Sequence, residues 1–86
     1  MKVVCKAIEM IAWFEKGGKV HPIKFRLKEE DQNRVIVIER IRCVKIEKFG
    51  GNQMYVFECE SHIDGLLKIY EIKYEMATCK WILFKI

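Results

Sequence analysis

The feature that most constrains this chain is its last nineteen residues, 68–86 (KIYEIKYEMATCKWILFKI), which read as two strands whose mutual register follows from the residues themselves. Tyr70, Ile72 and Tyr74 alternate with Glu71, Lys73 and Glu75, the period of two that a strand with one buried face requires. On the second arm, Trp81 and Leu83 alternate with Lys80, Ile82 and Phe84. A reversal across Met76, Ala77, Thr78 and Cys79 sets Glu75 opposite Lys80, Tyr74 opposite Trp81 and Ile72 opposite Leu83. One face then carries a charge pair and the other an aromatic and an aliphatic pair, each worth about 0.2–1 kcal/mol. A slip of one residue would set Trp81 against a charged neighbour and turn the whole set inside out.

Upstream, turn residues fall at regular intervals. Residues 3–14 are apolar on both parities, which predicts a strand partly buried on both faces; Val4, Ile8 and Ile11 also fit a helical spacing, so helix stays open here. Gly17 and Gly18 mark a hairpin turn. In residues 20–28, Ile23, Phe25 and Leu27 alternate with Lys24, Arg26 and Lys28, and Pro22, which donates no hydrogen bond, belongs at the strand start or on an edge. After an acidic turn over 29–33, residues 34–49 resume with Val35, Ile36, Val37 and Ile38, apolar on both parities and so expected to be a central strand. A change of parity near Cys43 predicts a bulge or corner. Gly50-Gly51 and Asp64-Gly65 set off a strand over 53–60. The expectation is one all-β domain over 1–86, about six antiparallel strands in a meander, forming a small barrel or compact sandwich.

Composition fits a single core: 51% of the 86 residues are hydrophobic, with one Pro and no low-complexity run. No apolar run approaches the roughly 18 residues of a membrane helix. Charge at Lys6 and Glu9 interrupts any signal-peptide apolar region, so cytoplasmic residence is expected. The cysteines stand at 5, 43, 59 and 79, without a C-x-x-C pair, and are expected to be reduced packing residues rather than a disulfide or zinc site. His62 near Glu60 and Asp64 is the only acid–base grouping in the sequence, and it falls in an expected turn. No catalytic residues, metal, cofactor or small-molecule substrate are assigned.

Residues 22–26 (PIKFR), the strand beginning at Val35, and 70–75 (YEIKYE) followed by Ala77, Thr78, Trp81, Leu83 and Ile86 resemble an uncharacterised bacterial family of short β proteins. The likeness covers about residues 20–86. It implies a proline–aromatic strand, a central strand and a C-terminal Tyr/Trp hairpin, and no function, since that of the family is not established. Some members place Gly in the final turn, where this chain has Cys79.

Two functional expectations follow. The first is a non-catalytic protein-interaction or assembly module, a homodimer or a binder of a protein partner, because the N-terminal strand holds more apolar surface than one sheet face needs. The second is binding of single-stranded nucleic acid. Net charge is +4, and Lys24, Arg26 and Lys28 share a face that Arg40, Arg42 and Lys45 can join if the third strand lies alongside. Against it, twelve acidic residues are interspersed and the pI is 8.9. Trp13, Phe25, Phe57, Tyr74 and Trp81 are expected in the core, while Tyr55 and Tyr70 are candidates for stacking on a base.

Overall fold

The computed structural model describes residues 1–86, Phe49 through its backbone alone. Its strands are β1 (Val3–Phe14), β2 (Val20–Glu29), β3 (Gln32–Val37), β4 (Arg40–Phe49), β5 (Asn52–Ile63), β6 (Leu66–Glu75) and β7 (Lys80–Lys85). They form one antiparallel sheet in the order β3-β2-β1-β7-β6-β5-β4. Among the described residues no helix is long and apolar enough to cross a membrane.

The C-terminal hairpin takes the register its sequence dictates, pairing Glu75 with Lys80, Tyr74 with Trp81 and Ile72 with Leu83. The two rings stand 4.5 Å apart, and Ile72 and Leu83 are wholly buried. Past Leu83 the ladder shifts by one residue, so that Glu71 meets Lys85 and Phe84 is left over as a bulge. Two other hairpins close on two-residue turns with positive φ at both positions, 56° and 84° at Gly50-Gly51 and 54° and 78° at Asp64-Gly65, the geometry whose twist matches the strands. β5 runs on through Ile63, so the expected turn over 61–65 shrinks to Asp64 and Gly65.

The strand expected over 34–49 is two strands, which raises the count from six to seven. The chain leaves the edge of β2 at Ile38, whose N–H donates to the Ile23 carbonyl at 2.9 Å. At the next residue it joins β5, the Glu39 N–H donating to the Glu60 carbonyl at 3.2 Å. β3 is therefore an edge strand rather than a central one. Its apolar run has one buried member, Ile36, while Val35 and Val37 are exposed. The bulge expected near Cys43 is present as a register shift between Ile41 and Cys43.

This two-residue joint connects the two ends of the strand order, so the sheet must coil until the end of β3 reaches the start of β4, where β3 lies against β5. A buried hydrogen-bond relay holds the joint. Ser61, with no exposed surface, donates through Oγ to the Val37 carbonyl at 2.7 Å and accepts from the Tyr70 hydroxyl at 2.6 Å and from the Glu39 N–H at 3.4 Å. Its single proton fixes these directions. Burial pushes the Tyr70 phenol well above its ordinary range, the bond to Ser61 opposing the shift. Phe25, Phe57, Tyr70, Ile72 and Leu83 fill the centre of the core inside the coil. Tyr70 thus has no face free for a base.

Two further sequence expectations fail. Pro22 lies buried inside β2, at the register shift between Ile11 and Ala12, a bulge being the other place a strand tolerates a missing N–H. Cys59 alone among the cysteines packs in the core, which pushes its thiol up to about 12 by desolvation. Cys5, Cys43 and Cys79 are exposed free thiols.

Candidate interaction surface

β1 is a strand, and it serves two partners: Val3 to Ile8 lies along β7, and Glu9 to Phe14 along β2. Of its twelve residues only Ile8 is fully buried, because the coil leaves its outer face to solvent. Trp13, expected in the core, is 63% exposed and rests against the His21 ring at 5.3 Å.

The registers show what shares this outer face. Phe25, Leu27 and Ile36 point into the core, so alternation turns Lys24, Arg26, Lys28, Val35 and Val37 outward. Ile11, Lys24 and Val37 form one row across three strands, and Glu9, Arg26 and Val35 the next. Trp13 follows Ile11 along β1, and Ile23 sits at the bulge beside it. Ile11, Trp13, Ile23, Val35 and Val37 are between 42% and 63% exposed, five large apolar side chains on one face. A groove of about 420 Å³ crosses it, lined on that face by Glu9, Ile11, Lys24, Arg26 and Val35.

The six candidate cations divide. Lys24, Arg26 and Lys28 lie together on the outer face of β2. Arg40, Arg42 and Lys45 lie on β4, at the other end of the strand order. Glu9 holds Arg26 at 2.7 Å, and Glu58 and Glu60 stand 3.9 and 4.0 Å from Arg42. Among the described residues Lys24, Lys28, Arg40 and Lys45 have no acidic partner within 4.0 Å. The acid–base grouping around His62 does not assemble. His62 pairs with Glu39 through its ring at 2.8 Å and its backbone N–H at 2.6 Å, Asp64 pairs with Arg34, and Glu60 faces Arg42. The backbone bond first, then the ring bond, holds the Glu39 carboxyl below its usual range. No cluster of three or more His, Cys, Asp or Glu side chains suited to a metal occurs among the described residues.

A second polar site is structural. On the outer face of β6, Lys73 is 9% exposed, its Nζ 3.1 and 3.3 Å from the Glu47 carboxylate oxygens and 3.7 Å above the centre of the bulged Phe84 ring. Val56, across the ladder from Lys73, is 2% exposed, a small apolar site outside the main core.

The sequence flags surplus apolar surface on the N-terminal strand but not its continuation across β2 and β3, because double-parity runs at 3–14 and 35–38 signal either burial on both sides or an outer face that is itself apolar. Strand order decides between them. Comparison of the chain with protein-family models, with curated proteins and with solved structures gives no match.

Proposed function

We propose that this protein is a non-catalytic interaction module that docks a protein partner on the outer face of β1, β2 and β3. The observation that carries the reading is the contiguous exposure of Ile11, Trp13, Ile23, Val35 and Val37 on that face. Isolated exposed aliphatics are ordinary, but a clustered set rimmed by charge is what protein-binding surfaces look like. Trp13 is the natural anchor, since a large ring loses little conformational entropy on burial and such residues dominate binding energy. The test is a photo-crosslinking amino acid placed at position 13 or 35 of the full chain in cells of its source organism, with Lys16 as an exposed control. Discrete protein adducts at 13 and 35, absent at 16, support the reading; their absence at both sinks it.

Single-strand nucleic-acid binding is the second reading, favoured by Lys24, one row from Trp13, and Lys28, two rows further along β2, both on the outer face and without acidic partners. A labelled single strand should then bind with a log–log salt slope of about −0.7 per phosphate contacted, made shallower by Lys24→Ala or Lys28→Ala. No binding at low salt excludes it.

A further inference from the structure

We infer that the protein dimerises by pairing its β4 edge with β4 of a second copy, antiparallel about a two-fold axis at Ile46. The inference goes beyond the function proposed above and uses a different surface, so each can fail alone.

The argument starts from the backbone. Among the described residues β4 ends the strand order and contacts no strand but β5, so its other edge is unpaired. The two-residue turn at Gly50-Gly51 makes Phe49 and Asn52 a hydrogen-bonded pair, and bonded and non-bonded pairs alternate from there. Phe49, Glu47 and Lys45 therefore bond to β5, while Lys48, Ile46 and Val44 aim their N–H and C=O groups away from it. The neighbouring strand confirms the phase: Gln53, opposite Lys48, spends its carbonyl on the other side, accepting from the Met76 N–H at 3.2 Å. The outward-aimed residues are also those with stranded side chains. Val44 and Ile46 pair with the core residues Phe57 and Tyr55, yet are 52% and 61% exposed, because no strand lies beyond them. A long free edge carrying apolar side chains is a template for another strand.

Charge selects the occupant and its register. A second β4 must pair outward-aimed residues with outward-aimed residues or sit midway between them. Centred on Lys45 or on Glu47, it sets like charges face to face. Centred on Val44, it sets Ile46 against Arg42 and forms no charge pair. Centred on Ile46, it places Ile46 against Ile46 and Lys45 against Glu47 twice, once on each side of the axis. Lys45 has no acidic partner within its own chain. Glu47 is already fixed by Lys73, and its oxygens keep lone pairs for a second cation. The edge is thus complementary to itself, as an isologous contact requires. A chain of this length also gains core stability by extending its sheet.

Sedimentation equilibrium of the full chain at tens of micromolar should give twice the chain mass of 10.3 kDa. Ile46→Pro removes an N–H that points only at the second copy and leaves the ladder to β5 intact. It should weaken the dimer at least tenfold while the near-ultraviolet signal of the buried Tyr74–Trp81 pair is unchanged. Lys45→Glu, which turns both charge pairs repulsive, should do the same. For the register, cysteine is introduced singly at 44, 46 or 48 in a background with Cys5, Cys43 and Cys79 replaced by Ser. Only Ile46→Cys brings equivalent residues to about 5.5 Å, a span a disulfide can bridge, so it should crosslink fastest. A monomer at several hundred micromolar overturns the inference, as does a dimer that survives both Ile46→Pro and Lys45→Glu, or faster crosslinking at 44 or 48. A dimer dissociated by Trp13→Ala but not by Ile46→Pro would place self-association on the outer face instead, overturning the edge pairing and leaving the docking face standing.

Discussion

The relay through Ser61 allows a quantitative test of what holds the coiled sheet together. Ser61→Ala removes the donor to the Val37 carbonyl and the acceptor of the Tyr70 hydroxyl; the hydroxyl is buried, while the carbonyl, on an exposed edge strand, is only partly so. A buried polar group left unpaired costs about 1–3 kcal/mol, and the part-buried carbonyl can turn to water, so the substitution should cost about 1–3 kcal/mol, set mainly by the orphaned Tyr70 hydroxyl. Tyr70→Phe removes the hydroxyl but leaves Ser61 still donating to Val37, and should cost only the net worth of one neutral hydrogen bond, about 1 kcal/mol. The sharper prediction concerns the pair. In the Ser61→Ala background the Tyr70 hydroxyl is already an orphan, so adding Tyr70→Phe should cost nothing or restore some stability. Urea unfolding followed by Trp81 fluorescence measures this. With an m value of about 1 kcal/mol per molar for a chain this small, Tyr70→Phe should lower the midpoint by about 1 M in the wild type and leave it level or raised in the Ser61→Ala background. Equal costs in the two backgrounds would show that the side chains are uncoupled and that something other than the relay fixes the joint.

Three more expectations follow from the same structure. The Cys59 thiol is raised to about 12 from an ordinary value of 9.0, so above pH 9 the unfolded chain releases a proton that the folded one keeps; stability is full below pH 9 and falls as pH rises towards 12, and Cys59→Ala should flatten that alkaline limb in pH-dependent urea titrations. Glu47→Gln should cost about 1–2 kcal/mol, because it leaves the nearly buried Lys73 ammonium with a neutral amide oxygen in place of its countercharge, whereas Lys73→Met, which keeps the contact with Val56 and Phe84, should be close to neutral; equal costs in thermal unfolding would refute the asymmetry. Cys79 holds a φ of 59°, a left-handed conformation that costs a non-glycine residue about 1 kcal/mol or more, so Cys79→Gly should stabilise the hairpin by a fraction of that despite the entropy glycine loses, and a lower melting temperature would contradict it.

Legibility in the sequence tracked how local the deciding interaction is. The C-terminal hairpin was readable to the residue pair because each pairing partner lies within fifteen positions and the charge and aromatic matches admit a single register. The bulge near Cys43 showed as a parity change for the same reason. Val35 to Ile38 was misread because a run apolar on both parities describes a central strand and an edge strand with an apolar outer face equally well. The break at Ile38–Glu39 carries no glycine or proline to announce it; it is imposed by Ser61 and Tyr70, more than twenty residues downstream. Trp13 failed similarly, since its exposure is set by where β2 and β3 lie. The cations Lys24, Arg26 and Lys28 were read as one face and are one, while Arg40, Arg42 and Lys45 were separated from them by that same unannounced joint.

The double service of β1 has a mechanical consequence. Its first half pairs with β7, and the two ends of the described chain meet there, Lys2 and Ile86 exchanging backbone hydrogen bonds of 2.7 and 2.9 Å. A pull applied through those ends acts across the ladder rather than along it, so the β1–β7 pairs open one after another like a zip instead of resisting together. Beyond Ile8 the force passes to the seam that joins the β1–β3 meander to the β4–β7 meander, where the shared core, the Arg34–Asp64 pair and the Ile38–Glu39 joint still connect the halves. Under tension this small domain should part into two hairpin sets at low force, with the Ser61 relay as the last bond to hold.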